Sequence, residues 1–162
     1  MRIAYQGVTG AYSEAAALRL NASADLMSCL SFEDVFAAVD KRKATHGILP
    51  IENTIGGTIH RNYDLLLEHE FPIVGEIKLA VVHHLIVNRG TTLEQIKRVY
   101  SHPQGLAQCE RFLRRLKGVE IVATYDTAGS AKMIKEEQLM DSAAIASERA
   151  ARNFGLQVLQ SG

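Results

Sequence analysis

Apolar residues fall in short blocks, separated by stretches with helical periodicity. Residues 2–5 read as a short buried strand, followed by a glycine-punctuated loop, Gln6-Gly7-Val8-Thr9-Gly10. The alanine-rich run 14–20 has high helical propensity. Ser31 opens a second helix, with Asp34 three residues on as the acidic form of a capping box, and Phe32, Val35, Phe36 and Val39 recur as its buried stripe. Residues 47–51 form the next strand, and a helix lies at 63–70. The long apolar stretch 71–87 contains Pro72 and Gly75, too interrupted for one helix, and reads as extended chain passing between two regions. Thr92 with Gln95 marks another helix start, and a strand ends at Ser101. A helix at 104–116 and a strand at 119–123 follow. Asp126 caps a helix reaching about Gln138, and 143–146 is a strand. Ser147 caps a last helix that stops at Gly155, and 156–159 begins one more strand.

Strands spaced by helices of this length predict an α/β protein with an open, largely parallel sheet. The extended stretch near the middle divides it into two lobes, 1–78 and 79–157, with a first crossing around 77–82. Residues 158–162 are then the start of a return crossing, and the first lobe lacks its returning strand. Such a lobe recruits an edge from a neighbour, so a homo-oligomer is expected.

Composition narrows the classes. Of 162 residues, 47% are apolar and 22% charged, which is ordinary for a globular chain. Eighteen basic residues balance eighteen acidic ones, so no net field draws the chain to nucleic acid or an anionic membrane, and neither is an expected partner. No apolar run approaches the ~18–20 residues of a membrane span. Met1 leads within two residues into a strand, which leaves no room for a signal peptide. Cys29 and Cys109 lack metal-type spacing and suit a reducing compartment, the cytoplasm or, for a plant-type precursor, the plastid stroma.

Loops after parallel strands are where α/β proteins hold ligands, and four stand out. In the first, Thr9, Gly10, Ala11, Tyr12 and Ser13 offer close backbone approach and a helix start to a carboxylate; the plainer reading is a tight turn with a cap. The second, after a buried strand, carries Glu52, Asn53 and Thr54, either for a polar substrate or for a turn that satisfies itself. The third is Ser101-His102-Pro103-Gln104-Gly105-Leu106-Ala107-Gln108-Cys109, where Gln104 and Gln108 are one helical turn apart. A Ser101–His102 nucleophile pair is disfavoured, because adjacent residues rarely aim at one another. In the fourth, Asp126 is an N-cap and Thr127 and Ser130 serve as caps or substrate contacts. His83 and His84 sit next to each other on extended chain and point to opposite faces, so they do not share a metal; no metal site is expected.

Taken in order, these loops resemble the prephenate dehydratase family and its plant-type arogenate dehydratase branch. The strings that carry the resemblance are Ile3-Ala4-Tyr5-Gln6-Gly7-Val8-Thr9-Gly10-Ala11-Tyr12-Ser13-Glu14-Ala15-Ala16, Leu49-Pro50-Ile51-Glu52-Asn53-Thr54 and Gly56-Gly57-Thr58-Ile59-His60-Arg61-Asn62-Tyr63-Asp64-Leu65-Leu66-Leu67. They continue with Val99-Tyr100-Ser101-His102-Pro103-Gln104, Gln108-Cys109 and Ala143-Ala144-Ile145-Ala146-Ser147. The resemblance implies a two-lobed fold like the type II periplasmic binding proteins, with open sheets and an inter-lobe cleft. It implies catalytic roles there for Ser101, Glu52, Asn53 and Gln108, and substrate contacts from Thr9, Gly10, Ala11, Tyr12, Ser13, Thr54, Gln104 and Thr127. The substrate is then prephenate or arogenate, and no cofactor is needed.

Family members continue past Gly162 into a Thr-Arg-Phe motif regarded as supplying the proton donor, and often into a regulatory domain. The segment as it stands is therefore expected to bind substrate weakly and turn it over poorly. The alternatives are a relative that decarboxylates prephenate without aromatising it, and a small-molecule-binding module without catalysis.

Overall fold

The structure is a computed structural model that describes residues 1–54 and 56–162; Ile55, inside the second loop motif, lies outside the described residues. The chain divides into two compact units, Met1–Val8 with Tyr12–Ala80, and Thr9–Ala11 with Val81–Gly162.

The first unit is built on a parallel sheet of order β2-β1-β3. Strand β1 (Arg2–Gln6) is central and buries Ile3, Ala4 and Tyr5, as expected for a strand covered on both faces. Its neighbours are β2 (Asp25–Cys29) and β3 (His46–Ile48). The first of these was not expected from the sequence. Asp-Leu-Met-Ser-Cys has no β-branched residue and no alternation, and its extended form comes from pairing, Ala4 opposite Met27. The other is shorter than expected, ending two residues before Pro50, which has no N–H for a ladder. Helices α1 (Tyr12–Leu20) and α2 (Phe32–Asp40) pack on β1. The Ser31–Asp34 capping box is formed, and Val35, Phe36 and Ala38 are the buried face. A short hairpin, β4 (Glu52–Asn53) with β5 (Gly57–Thr58), leads to α3 (His60–His69), which starts three residues earlier than its apolar pattern suggested.

The second unit holds a five-stranded sheet of order β10-β6-β9-β7-β8. Its strands are β6 (His84–Val87), β7 (Arg98–Ser101), β8 (Glu120–Ala123), β9 (Ser142–Ala146) and β10 (Gln157–Ser161). Strands β7, β8 and β9 run parallel, and β6 is antiparallel to both β9 and β10. The residues expected to open a return crossing are thus paired in this sheet. Of the apolar stretch 71–87, only the last four residues join a ladder. All of β9 is buried, and its small side chains admit α6 (Thr127–Glu136), whose buried stripe Ala128-Gly129-Ser130-Ala131 is equally small. Leu85, Val87, Ile96, Val99, Leu113 and Ile145 fill the core, each worth ~1.5–3 kcal/mol when fully buried.

One predicted helix is two. The run 104–116 breaks into α4 (Pro103–Gln108) and α5 (Glu110–Leu113), because Cys109 at φ −101°, ψ 7° leaves helical geometry and shares its N–H between the carbonyls of Gly105 and Leu106. Thr92 and Gln95 do form a capping box, but it closes only a 3-10 turn before Ile96 returns to extended backbone. The last helix, α7 (Glu148–Asn153), is capped by Ser147 as expected. Among the described residues no helix is long and apolar enough to cross a membrane.

Candidate functional site

In the first unit the candidates lie on the loops after β1 and β3. Tyr12 and Ser13 open α1 and are half-buried. Glu52 and Thr54 are exposed and Asn53 is half-buried. Asn53 Oδ1 accepts from Gly56 N at 3.0 Å, so this side chain does close its own turn, as the plainer reading of the loop had it. The loop is anchored from α3: Asn62, fully buried, donates from Nδ2 to Pro50 O at 2.7 Å, and its Oδ1 meets no partner. Arg61 bridges Glu33 and Glu68 at 2.8 and 3.1 Å, all of them exposed, so these pairs add little.

The second unit brings several candidates together at the end of β7. Ser101 is fully buried, and its hydroxyl donates to Ile145 O on neighbouring β9 at 2.7 Å. Gly105, one turn into α4, sits directly against it. A Cβ at that position would stand 2.8 Å from Ser101 Oγ, 3.2 Å from Thr127 Cγ2 and 3.6 Å from His83 Cε1. Ser101, the Thr127 methyl and the His83 ring therefore pack closely around Gly105, with no room there for a side chain. Gln108 joins the group from the last residue of α4, its Oε1 2.6 Å from His83 Nε2. Gln104 is half-buried, and its backbone N–H is taken by His102 Nδ1 at 3.2 Å, which caps the helix. A Ser101–His102 dyad is thereby excluded: the hydroxyl points to a carbonyl and the imidazole to a helix N–H.

Elsewhere in this unit Asp126 is the N-cap of α6, accepting from Ala128 N at 2.9 Å. Ser130 Oγ donates back to Asp126 O at 2.8 Å, so its hydroxyl serves the cap. The short loop Thr9–Ala11 lies against α7. Gly10, at φ +96°, accepts at its carbonyl from Ser147 Oγ at 2.8 Å, while Thr9 is exposed and Ala11 buried. Burial pushes both cysteine thiols up, Cys29 with help from the Asp34 charge, which keeps them protonated and unreactive.

His83 and Gly105 were not among the site residues expected from the sequence. The paired histidines drew attention only as a metal motif, and nothing local links residue 83 to residue 108. As expected, the two rings serve different surroundings. His84 lies on β6 opposite Ala146 and Ser161, with its Nδ1 buried and without a partner.

Burial is the main influence on His83 and holds its imidazole below the usual range; the Gln108 hydrogen bond opposes this and His84 reinforces it. The unfolded chain then takes up a proton, near the ordinary value of about 6.5, that the folded chain refuses. The group costs no stability above that pH, and its penalty grows as pH falls below it. His83→Gln should remove this part of the slope, so the difference in urea midpoint between wild type and variant should change between about pH 7.5 and 5.5. A constant difference would mean that the ring is not buried in this way.

The model of the family described as prephenate dehydratase matches residues 3–162. The chain belongs to that family. An Arabidopsis thaliana protein named arogenate dehydratase/prephenate dehydratase 2, chloroplastic, is 52% identical over 159 residues, covering 98% of this chain and 42% of its own length. The chain thus spans about two fifths of such relatives. Among solved structures, a prephenate dehydratase from Arthrobacter aurescens in complex with L-Phe superposes with a TM-score of 0.90 at 26% identity, over 99% of this chain and 55% of that one. A structure described as a novel type of quorum-quenching acylase also superposes at 0.90, with 34% identity, over 99% and 59%.

Proposed function

We propose that the chain is the catalytic part of a dehydratase acting on prephenate or arogenate, in the formation of phenylpyruvate or phenylalanine. The match of the family model across residues 3–162 carries this reading. In such a substrate a ring carboxylate and a ring hydroxyl sit at opposite ends of a cyclohexadiene. The C–C bond to the carboxylate breaks, its electron pair makes the ring aromatic, and the C–O bond breaks at the far end. Carbon dioxide leaves, and the departing oxygen takes a proton to become water.

An enzyme for this step holds the dianion and donates hydrogen bonds to the departing oxygen. General-acid help is worth ~10²–10⁴-fold. Ser101 has its proton committed to Ile145, so it accepts rather than donates and holds the corner between β7 and α4. The Gln108 amide is the proposed side-chain donor beside it, with Gln104 nearby, while Thr127 borders the same corner through its methyl group. On the first unit Glu52, Asn53 and Thr54 line the contact loop, and residues 9–13 bind a carboxylate. Neutral amides and hydroxyls orient and stabilise rather than protonate. The relatives' names support both substrates and a chloroplast location for proteins of this kind. A homo-oligomer is part of the proposal; the edge strand β8 with exposed Ile121, beside an open recess of about 570 Å³ lined by Leu106, Leu113 and Leu116 together with Glu110 and Arg114, supports it.

The likeness to an acylase raises acyl transfer as a second reading, but the buried, donating hydroxyl of Ser101 is not placed as a nucleophile. The test is to incubate the purified chain, alone and joined to the portion that follows in a relative, with each substrate and to identify the products. Phenylpyruvate or phenylalanine is expected. A non-aromatic product would mean decarboxylation alone, and a tightly bound, unaltered ligand would make this a binding module.

A further inference from the structure

Ser31, Asp126 and Ser147 each cap a helix with a side-chain oxygen, but they differ in what else the side chain does. The Ser31 hydroxyl gives its hydrogen to the Asp34 carboxylate at 2.9 Å, inside its own capping box. Asp126, as a carboxylate, has none to give. In α7 the third helical residue is Ala150, not an acid, so no capping box holds the Ser147 hydrogen. It goes instead to Gly10 O at 2.8 Å, 137 residues away in sequence, while the same oxygen accepts from Ala150 N at 3.0 Å. Capping alone would be served as well by aspartate or asparagine. The second bond is what a hydroxyl adds.

This contact needs glycine at position 10. A Cβ there would stand 2.8 Å from Ala150 Cα, so only bare backbone reaches the first turn of α7. Glycine has little backbone preference of its own, so the orientation of its peptide plane must be set by contacts. The peptide that follows Gly10 is trans, and in a trans peptide the C=O and the N–H point in opposite directions. With the Gly10 carbonyl turned toward Ser147, the N–H of Ala11 is turned away from α7.

We propose that Ser147 is a positioning residue: by holding the Gly10 carbonyl, it keeps the Ala11 N–H directed as a backbone donor to a substrate carboxylate. This rests on the reading that residues 9–13 bind such a carboxylate. Ser147 acts only through the loop, and its own hydroxyl is taken up by Gly10 and Ala150.

The experiment compares Ser147→Ala, Ser147→Gly and Ser147→Thr by KM, kcat and urea midpoint, in whichever form of the protein turns over substrate. The first two both lack the donor, but glycine starts a helix almost as well as serine and alanine does not. Loss of a neutral hydrogen bond predicts a rise in KM of about 3–10-fold in both. A carboxylate held alike before and during the reaction contributes uniform binding, so kcat should change little. The midpoints should nevertheless differ, with Ser147→Gly nearer the wild type. Ser147→Thr keeps the hydroxyl and should keep KM near the wild-type value. KM values that follow the midpoints, with Ser147→Gly close to wild type and Ser147→Ala impaired, would overturn the proposal in favour of capping alone. So would a Ser147→Thr variant with the wild-type midpoint and the KM of Ser147→Ala. The nitrogen-15 shift of the Ala11 amide, which responds to a hydrogen bond on the preceding carbonyl, gives a reading independent of turnover. It should move alike in the Ala and Gly variants and stay in place in Ser147→Thr; a shift unmoved in all three would also overturn the proposal. A wild-type protein that neither binds nor converts either substrate, with the Ala11 shift responding as expected, would instead sink the dehydratase reading on which the role depends.

Discussion

Gly10→Ala is expected to lower the stability of the second unit by about 2–4 kcal/mol, read as a fall in the urea midpoint at unchanged m-value. Two costs add at this one position. Gly10 holds φ +96°, where an L side chain costs at least ~1–2 kcal/mol. Its missing Cβ would also stand 2.8 Å from Ala150 Cα and 3.0 Å from Ala150 Cβ in α7. Backbone cannot rotate out of the way as a flexible side-chain end would, and overpacking of this kind costs ~1–3 kcal/mol. The stiffer unfolded chain returns only ~0.4–1 kcal/mol. Gly155→Ala is the control. It has φ +64° with nothing within 4 Å of the added carbon, so it bears the backbone cost alone. Equal losses at the two sites would mean that the loop does not approach α7 this closely. The variant should also bind substrate less well, since Thr9–Ala11 carries the proposed carboxylate contacts and Ser147 orients its carbonyl.

What was legible in the sequence was what neighbouring residues decide among themselves. The caps at Ser31, Asp126 and Ser147 each need only a side chain and a backbone N–H two or three residues on, and all three form. The strands rich in apolar residues, β1 and β9, were legible because burial on both faces demands such runs. Strand β2 was not, since its extension comes from partners more than twenty residues away. The split of the helix at Cys109 was hidden for a related reason: the periodicity of 104–116 continues through the break. The same distinction runs through the candidate site. Ser101, Gln108 and Thr127 could be named from their places after strands, but their meeting depends on β7 lying between β8 and β9, and on Gly105 leaving room. The contact between His83 and Gln108 requires residue 83 to come beside residue 108, which no local pattern encodes.

A second large effect is expected from Asn62→Asp, about 3–5 kcal/mol of destabilisation in the first unit at pH 7 and far less below about pH 4. Asn62 has no exposed surface; its Nδ2 donates to Pro50 O, and its Oδ1 is already without a partner. Aspartate has nearly the same shape. Ionised, it would set one oxygen against the Pro50 carbonyl at 2.7 Å and leave the other where no donor waits. An uncompensated buried charge of this kind is among the most costly single changes. Protonation offers an escape, since a neutral carboxyl can donate to Pro50 O as the amide does. The folded-state pKa of the new group is therefore raised above the unfolded value of about 3.9. Below that value both states hold the proton and the charge penalty is absent. As pH rises, the unfolded chain releases a proton that the folded chain keeps, and stability falls until the folded group ionises as well. Wild-type Asn62 contributes no such slope, so the gap between the two urea midpoints should widen from pH 4 to 7. A gap that stays constant would show that the side chain at 62 reaches water. Because Pro50 leads straight into Glu52 and Asn53, the same variant separates two roles for the anchor. A KM that rises with pH in step with the stability loss makes Asn62 the support of the contact loop, whereas an unchanged KM confines it to the packing of α3.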